Sequence, residues 1–382
     1  MSSWYDIKIQ DHNVFENSSR HFEEWLFQKS DQVIREDELG TKEYLYLTDA
    51  ATLKRRLTLR GCDRNMLERE FEEAIETLNL ELEYAEEIIP AETAELRAAI
   101  HGMNLDFWLD KLQLIVENNM EPYLFDGQRI HNDPVIDYLL CVNRWPTETR
   151  YTSFPCMTPD GYAVAVLQFA APDAEVVMNC TDLVRAQTTD VFDNYIEHLQ
   201  EHTDLYKVFQ TSTLEIENIL HTTAENSTLA KLLYAGVITA METYLSDTMR
   251  KLVLNHQAVM QRFVESSENF NKNMKISDIF NRLEKLEKEV SAELDKTSFH
   301  NLPEAAKLFQ DVLIVDFPED STSSLKGCVH IRHDIVHRNG KTFKGIERNF
   351  KSDDVTSLIN LVKNFLENID NQIKTNLLIY EN

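Results

Sequence analysis

One stretch of the sequence, Val329–Gly340, holds most of the residues that could do chemistry. It contains two arginines and three histidines, and the histidines are His330, His333 and His337. Because residues three, four and seven apart lie on the same face of a helix, the three imidazoles would face one way. Asn339 and Gly340 then form a typical helix end. The sequence therefore predicts a helix with a histidine face near its C-terminus.

The histidine face has a structural interpretation and a metal-binding one. Histidines on a bundle helix usually cap the helix, hydrogen-bond or face water, although three within eight residues are unusual for that role. A metal site would draw a further ligand from elsewhere in the chain, and no His-Glu-x-x-His or Cys-x-x-Cys pattern supplies one. Both interpretations stay open here, but the favoured prediction includes no metal and no other cofactor.

The third interpretation is a metal-independent ribonuclease built on Arg332 and His337. A histidine can accept the proton of an RNA 2′-hydroxyl or donate one to the leaving 5′-oxygen. An arginine can neutralise the phosphorane between those steps. Since the two residues are five apart, they differ by about 140° on a regular helix, and one helix makes a poor site. Two copies about a twofold axis would line one groove with both pairs, so we expect a homodimer with RNA as its substrate.

The segment Arg332–His337 also resembles the signature of HEPN domains, in which an arginine, a polar residue and three variable residues precede a histidine. The apolar run Leu229–Leu245, interrupted by Glu242, resembles the first HEPN helix and lies about 90 residues upstream. The resemblance covers about residues 205–382. It implies an all-helical, dimeric module of the kind found in toxin, antiphage and CRISPR-linked ribonucleases.

The resemblance implies a role for each residue of the signature. Arg332 would bind the phosphate, His337 would act as the acid or base, and His333 would orient the arginine or the substrate. Substrate binding would extend along the basic end of the stretch, through Arg338, Lys341 and Lys344. Two acids would support the site from behind, Glu242 by holding Arg332 or His337, and Asp334. For Glu242, an exposed position on its helix is an equal alternative.

One position departs from the pattern of some HEPN members. Those paired with a nucleotidyltransferase antitoxin carry a tyrosine two residues after the histidine. Asn339 stands at that position here. The resemblance therefore implies no control by modification of such a tyrosine.

Residues 1–200 are predicted to form a separate, mixed α+β domain. Alternating apolar and polar residues predict strands at Trp4–Ile9 and Glu43–Leu47. A turn at residues 172–173 predicts a hairpin of Tyr162–Phe169 and Glu175–Asn179. Apolar residues at helical spacing predict three helices, one after Asp49, one from about Asp63 to before Pro90, and one over residues 91–117.

The same half resembles, more faintly, a domain that precedes HEPN or Toprim modules in bacterial conflict proteins. The segments that carry this likeness are Leu53–Cys62 and Val176–Val184. Because this half is strongly acidic, RNA binding is not expected there, and its predicted role is sensing, autoinhibition or protein contact. The arginines of the first segment, Arg55, Arg56 and Arg60, would bind an anion or, more plainly, pair with Glu68 or Asp63.

Residues 205–382 are predicted to form a helical bundle of five or six helices. Apolar residues recur there at spacings of three and four, with few prolines and glycines. The predicted helices are Asp193–Ile219, Ser227–Val264, Ile276–Leu294, Pro303–Val315, Ser323–Arg338 and Asp353–Ile373. The predicted fold class is thus α+β, with a mixed α/β domain followed by an all-α bundle.

Charge is distributed unevenly along the 382 residues. The net charge is −27, of which −21 falls in residues 1–200, whereas residues 326–351 carry +5. An acidic N-terminal half repels nucleic acid at long range, so RNA binding is not expected there. The basic stretch has two interpretations, a solvated helix end or an RNA-binding surface.

Composition excludes several function classes. The nine glycines include no phosphate-cradling loop and no dinucleotide fingerprint, which argues against nucleotide-driven motors and Rossmann oxidoreductases. The five cysteines are scattered, which argues for reduced thiols. No stretch approaches the roughly 18 apolar residues of a membrane span, and no signal pattern opens the chain. We expect a cytoplasmic protein that does not bind membranes.

The predicted function is a HEPN-type, metal-independent endoribonuclease in which two copies form one RNA-cleaving groove. Its expected context is toxicity or abortive antiphage defence, with an antitoxin or a phage-derived trigger as a further partner. The alternative, from a different class, is a non-catalytic dimeric module that binds nucleotide, RNA or a protein through the same groove.

Overall fold

The structure is a computed structural model. It describes residues 4–18, 25–36, 40–87, 90–123, 130–141, 149–150, 152–186, 192, 202–222, 226–271, 273 and 275–376. The chain divides into two compact units, Met1–Leu199 and Gln200–Asn382. Among the helices in these described ranges, none is both long and apolar enough to cross a bilayer.

The first unit is built around an antiparallel sheet. Its described strands are β1 (Trp4–Ile9), β2 (His12–Ser18), β3 (Gln32–Glu36), β4 (Lys42–Asp49), β5 (Thr149–Arg150) and β6 (Glu175–Asn179). They lie in the order β3-β4-β6-β1-β2-β5. The predicted alternation in β1 is confirmed, because Tyr5, Ile7 and Ile9 are buried while their neighbours are not. β6 is central and pairs with both β1 and β4.

Seven described helices complete this unit. They are α1 (Ala50–Leu59), α2 (Arg64–Glu86), α3 (Pro90–Ile100), α4 (Leu105–Glu117), α5 (Pro134–Leu140), α6 (Pro159–Val166) and α7 (Thr181–Arg185). The predicted starts of the first two are confirmed, since the side chains of Asp49 and Asp63 accept hydrogen bonds from the first turns of α1 and α2. The predicted α+β fold class is therefore confirmed by the sheet and helices of this unit together with the all-helical second unit.

Two predictions of secondary structure in this unit were wrong. The first arm of the predicted hairpin is instead the buried helix α6, which starts with Pro159 after Thr158 caps its first turn. Every residue from Gly161 to Val166 is buried, so no period of two or 3.6 distinguishes helix from strand. The single helix predicted over residues 91–117 is two helices, because Gly102 has φ +69° and Asn104 caps α4.

A buried ion pair joins α1 to the segment before β3. Arg56 is 1% exposed and donates to Asp31 at 2.6 Å and to the Leu26 carbonyl at 2.8 Å. The predicted partners Glu68 and Asp63 are therefore wrong. The true partner is 25 residues upstream and could not be inferred from local spacing.

The second unit is all-helical in its described residues. Its helices are α8 (Asp204–Thr222), α9 (Ser227–Asn255), α10 (Gln257–Ser266), α11 (Ile279–Leu294), α12 (Leu302–Leu313), α13 (Glu319–Arg338) and α14 (Ser352–Thr375). The long helix α9 packs against α8, α10, α11, α13 and α14 and is the core of the bundle.

The described part of this unit has seven helices, whereas the sequence predicted five or six and gave bounds for six. The predicted helix Ser227–Val264 is interrupted at His256, whose backbone is extended, and so becomes α9 and α10. The start of the predicted helix Asp193–Ile219 lies outside the described residues, and α8 begins at Asp204. The remaining four predicted helices agree with α11 to α14 within a few residues.

A buried carboxylate ties α8, α9 and α14 together. Asp370 on α14 is fully buried and accepts hydrogen bonds from the Thr203 N–H at 3.1 Å, from the Thr203 hydroxyl and from the Tyr244 hydroxyl at 3.0 Å. Burial, followed by the charge of Asp370 and its hydrogen bond, raises the pKa of Tyr244 well above its ordinary value. Tyr244 is therefore a stable hydrogen-bond donor to this carboxylate.

Candidate functional site

The candidate site lies along the C-terminal half of α13. The helix ends as the sequence predicts, since Asn339 adopts a left-handed backbone at φ +51° and Gly340 follows at φ +83°. Ile335 is buried against the bundle, whereas Val336 is 55% exposed. Ile335 thus faces the core of the bundle and Val336 does not, and the helix presents a broad polar surface.

An open groove of about 430 Å³ runs along this surface. From α13 it is lined by Lys326, Val329, His330, Arg332, His333 and His337, and from the start of α12 by His300, Asn301, Leu302 and Pro303. Arg332 and His337 thus face the same groove despite the wide angle between them on the helix. The segment at the start of α12 forms the second side of the groove, and the position of this segment cannot be seen from the spacing of residues on α13 alone.

Arg332 is held at the groove by Glu242 of α9. Its Nη2 donates to the Glu242 Oε2 at 3.4 Å, and the two side chains are 25% and 17% exposed. The Arg332 Nε and the Glu242 Oε1 are both buried and have no hydrogen-bond partner among the described residues. A contact this long leaves the pair incompletely satisfied, which is uncommon for buried polar atoms.

Glu242 is partly desolvated in this position. Burial raises the pKa of its carboxyl above the ordinary value, while the nearby charges of Arg332 and His300 act to lower it. The structure places Glu242 behind Arg332, as the sequence predicted for one of two alternatives, and not on an exposed face of α9. His300 was missed by sequence reasoning, because it stands 58 residues after Glu242 and carries no motif.

His333 and His337 form a pair on the groove. Their ring centroids are 4.5 Å apart. Loss of hydration, and then the neighbouring charges of His337 and Arg338, lower the pKa of His333. Its ring contact is with His337, so the predicted orienting role of His333 would act on the second histidine or on a substrate. Among the described residues, no set of three or more His, Cys, Asp or Glu side chains is arranged to hold a metal ion.

Asp334 lies behind Arg338, one of the predicted substrate-binding residues, rather than behind Arg332. Its carboxylate accepts from Arg338 at 2.7 Å and lies 3.7 Å from Arg348. Since Asp334 follows Arg332 by only two residues, the two point to different sides of the helix. Asp334 therefore fixes the basic end of α13 and its loop.

The predicted substrate-binding residues lie beyond the groove. Arg338, Lys341 and Lys344 are exposed, and none of the three is among the residues that line it. Lys326, one turn and a half before Arg332, is the lysine that does. The basic surface thus extends in both directions from the histidine pair.

Comparison with protein families gives two matches that together span almost the whole chain. Residues 1–205 match the model of the HEPN/Toprim N-terminal domain 1, and residues 193–375 match that of the RiboL-PSP-HEPN domain. The first match covers more than half of the chain, and the second covers the bundle and its groove. The chain belongs to the HEPN-domain family. Searches of curated proteins and of solved structures found no match.

The groove falls within the part of the chain that matches the HEPN domain. The groove-lining side chains of α13, and Glu242 behind them, all lie inside the matched HEPN domain. HEPN domains include ribonucleases and nucleotide-binding modules, and they commonly bind RNA and dimerise. Membership therefore supports a nucleic-acid-directed role in general terms.

The variant Glu242→Gln tests the desolvation of this carboxyl. Because its pKa is raised from the ordinary 4.5, wild type loses stability as pH rises through the raised value, and the glutamine variant does not. Denaturant unfolding between about pH 4 and pH 7 should show the variant gaining stability relative to wild type as pH rises. Glu304→Gln, at an exposed position on α12, is the matched control. A variant that instead loses relative stability with rising pH would contradict this account of Glu242.

Proposed function

We propose that this protein is a metal-independent endoribonuclease that acts as a HEPN dimer. The observation that carries the proposal is the presence of Arg332 and His337 in one groove, with Arg332 anchored from behind by Glu242. This arrangement supplies the two kinds of group that RNA cleavage requires, a phosphate-binding cation and a group that moves protons at neutral pH.

The proposed reaction uses the RNA as its own nucleophile. An imidazole accepts the 2′-hydroxyl proton while the 2′-oxygen forms a bond to phosphorus. The bond between phosphorus and the 5′-oxygen breaks, and that oxygen takes a proton from a second imidazole. The products are a 2′,3′-cyclic phosphate and a 5′-hydroxyl. No metal is needed for activation, because both proton transfers are carried out by histidine.

Arg332 provides the electrostatic part of this mechanism. The guanidinium has five donors, and the contact to Glu242 uses one of its terminal nitrogens. The donors that face the groove can bind a phosphate through a forked pair of hydrogen bonds. Glu242 is then a positioning residue, which limits the orientations of the guanidinium without touching the RNA.

The second copy supplies the second imidazole. In one cleavage, His337 of one copy would act as the base and His337 of the other copy as the acid, and His333 would modulate the His337 ring that it contacts. The groove is open rather than enclosed, which leaves room for a second α13 or a single RNA strand. A composite groove of this kind carries two arginines and two histidines about one axis.

The N-terminal unit has a proposed regulatory role. Residues 1–200 hold −21 of the net charge of −27, which disfavours RNA binding there. We propose that this unit senses a trigger or contacts a partner, such as a phage-derived molecule or an antitoxin. The ribonuclease would then act as a toxin or as an antiphage effector.

The chemistry of the product ends tests the proposed reaction. Purified full-length protein should convert a labelled RNA into fragments that end in 2′,3′-cyclic phosphate and begin with 5′-hydroxyl, and excess EDTA should not slow it. Fragments with 3′-hydroxyl and 5′-phosphate ends, or a loss of cleavage on chelation, would contradict it. Binding of RNA or nucleotide without any turnover would favour a non-catalytic HEPN module.

A further inference from the structure

A short loop after α13 carries an exposed aromatic ring on a hydrogen-bonded turn. Phe343 is 79% exposed. The loop closes on itself because the Thr342 N–H donates to the Ile346 carbonyl at 2.9 Å and the Gly345 N–H donates to the Thr342 carbonyl at 2.8 Å. Gly345 has φ +77°, which the tight turn requires. Phe343 is therefore presented by an ordered turn.

The surroundings of this ring are basic. The Nζ of Lys344 lies 5.6 Å from the centroid of the Phe343 ring, within the range of a cation–π contact. Residues 340–351 carry four basic residues and one acid, a net charge of +3. An aromatic ring among cations matches the surface of an unpaired nucleic acid, in which flat bases alternate with phosphates.

The loop is also close to the proposed cleavage site along the chain. Phe343 follows His337 by six residues, so the two backbones can be at most about 20 Å apart. A strand whose phosphate lies on Arg332 can therefore reach the ring within a few nucleotides.

We propose that Phe343 stacks on an unpaired base within a few nucleotides of the phosphate that Arg332 binds, with Lys341 and Lys344 on the adjoining backbone. The inference rests on the proposed ribonuclease function and adds to it a base-stacking residue outside the groove. Phe343 is then a residue that selects unpaired over paired RNA, because a base inside a duplex cannot offer its face to a side chain.

A second exposed apolar side chain on the same loop provides a control that distinguishes base stacking from contact with another protein copy. Ile346 is 63% exposed and has no aromatic ring. If the loop were buried by another protein copy, truncation of either side chain would remove contact area. If it stacks on a base, only the aromatic ring matters, so Ile346→Ala is a matched control for Phe343→Ala.

The experiment uses the full chain with His337→Ala, so that RNA is bound but not cut. Its affinity is measured for an unpaired oligoribonucleotide carrying 2-aminopurine and for a blunt RNA duplex. Adding Phe343→Ala should weaken binding of the unpaired strand about 5- to 100-fold and abolish the quenching of 2-aminopurine. Adding Phe343→Trp should preserve both, adding Ile346→Ala should change neither, and duplex binding should be unaffected by all three.

Three results would overturn the inference. One is unchanged binding and quenching in Phe343→Ala. Another is equal weakening of single strand and duplex, which would mean that the ring does not read the base. The third is a shift of oligomeric state in both Phe343→Ala and Ile346→Ala, which would identify the loop as a protein interface. The binding measurements do not depend on whether wild type cleaves RNA, because they use the His337→Ala background. The cleavage test in turn does not involve Phe343. Failure of this inference and failure of the proposed function can therefore be told apart.

Discussion

Arg332→Ala and His337→Ala are each expected to remove nearly all RNA cleavage while leaving the fold and the dimer intact. Loss of the acid–base histidine should reduce the single-turnover rate about 10²- to 10⁴-fold. Loss of the arginine should reduce it about 10²- to 10³-fold, the range seen when a donor to developing charge is removed. His337 is exposed on the open groove, so its truncation should change stability little. Arg332→Ala removes the cation beside the partly buried Glu242 carboxylate and should lower stability by about 1–3 kcal/mol without unfolding the bundle.

Matched controls make this result specific. Arg69→Ala and His221→Ala change exposed residues of the same types outside the groove and should cleave at the wild-type rate. A single-turnover time course on one labelled RNA compares all four variants. If Arg332→Ala and His337→Ala cleave as fast as these controls, the site assignment is wrong.

Asp370→Ala is expected to have the largest effect on stability in the helical unit. The substitution leaves three donors, the Thr203 N–H and hydroxyl and the Tyr244 hydroxyl, without their acceptor inside the bundle. Breaking a buried charged network by removing one partner costs about 3–5 kcal/mol. In a unit of this size that corresponds to a fall in Tm of about 10 °C.

Calorimetry of the full chain measures this effect. Glu367→Ala, at an exposed position one turn earlier on α14, is the control and should leave Tm nearly unchanged. A fall of less than about 2 °C in Asp370→Ala would mean that the buried network contributes little. The same fall in both variants would point to a loss of helix α14 rather than of the buried contacts.

The sequence correctly predicted those helix ends that depend only on residues within one turn. Asp49 and Asp63 start their helices, and Asn339 ends α13, because capping depends on residues within one turn. It failed where burial hides the period, as in the fully buried helix α6. It also failed at Gly102 and His256, where single residues interrupt an otherwise continuous apolar pattern.

The candidate site was likewise predictable where neighbouring residues decide the contact, and not where distant parts of the chain meet. The spacing of His333 and His337 on one helix was readable, and the pairing of Glu242 with Arg332 agrees with one of two alternatives. Asp334 pairs with Arg338 at a helical spacing of four, and also lies near Arg348, which comes from the loop beyond the helix and which local spacing does not indicate. His300 was missed because the second wall of the groove depends on how α12 packs, which no local pattern encodes.

The central claim is that the HEPN groove cleaves RNA through Arg332 and His337. The most direct measurement incubates total cellular RNA and excess EDTA with purified full-length wild type or with the Arg332→Ala/His337→Ala double variant. The account predicts fragmentation by wild type alone. Equal fragmentation by both proteins, or intact RNA with both, would contradict it.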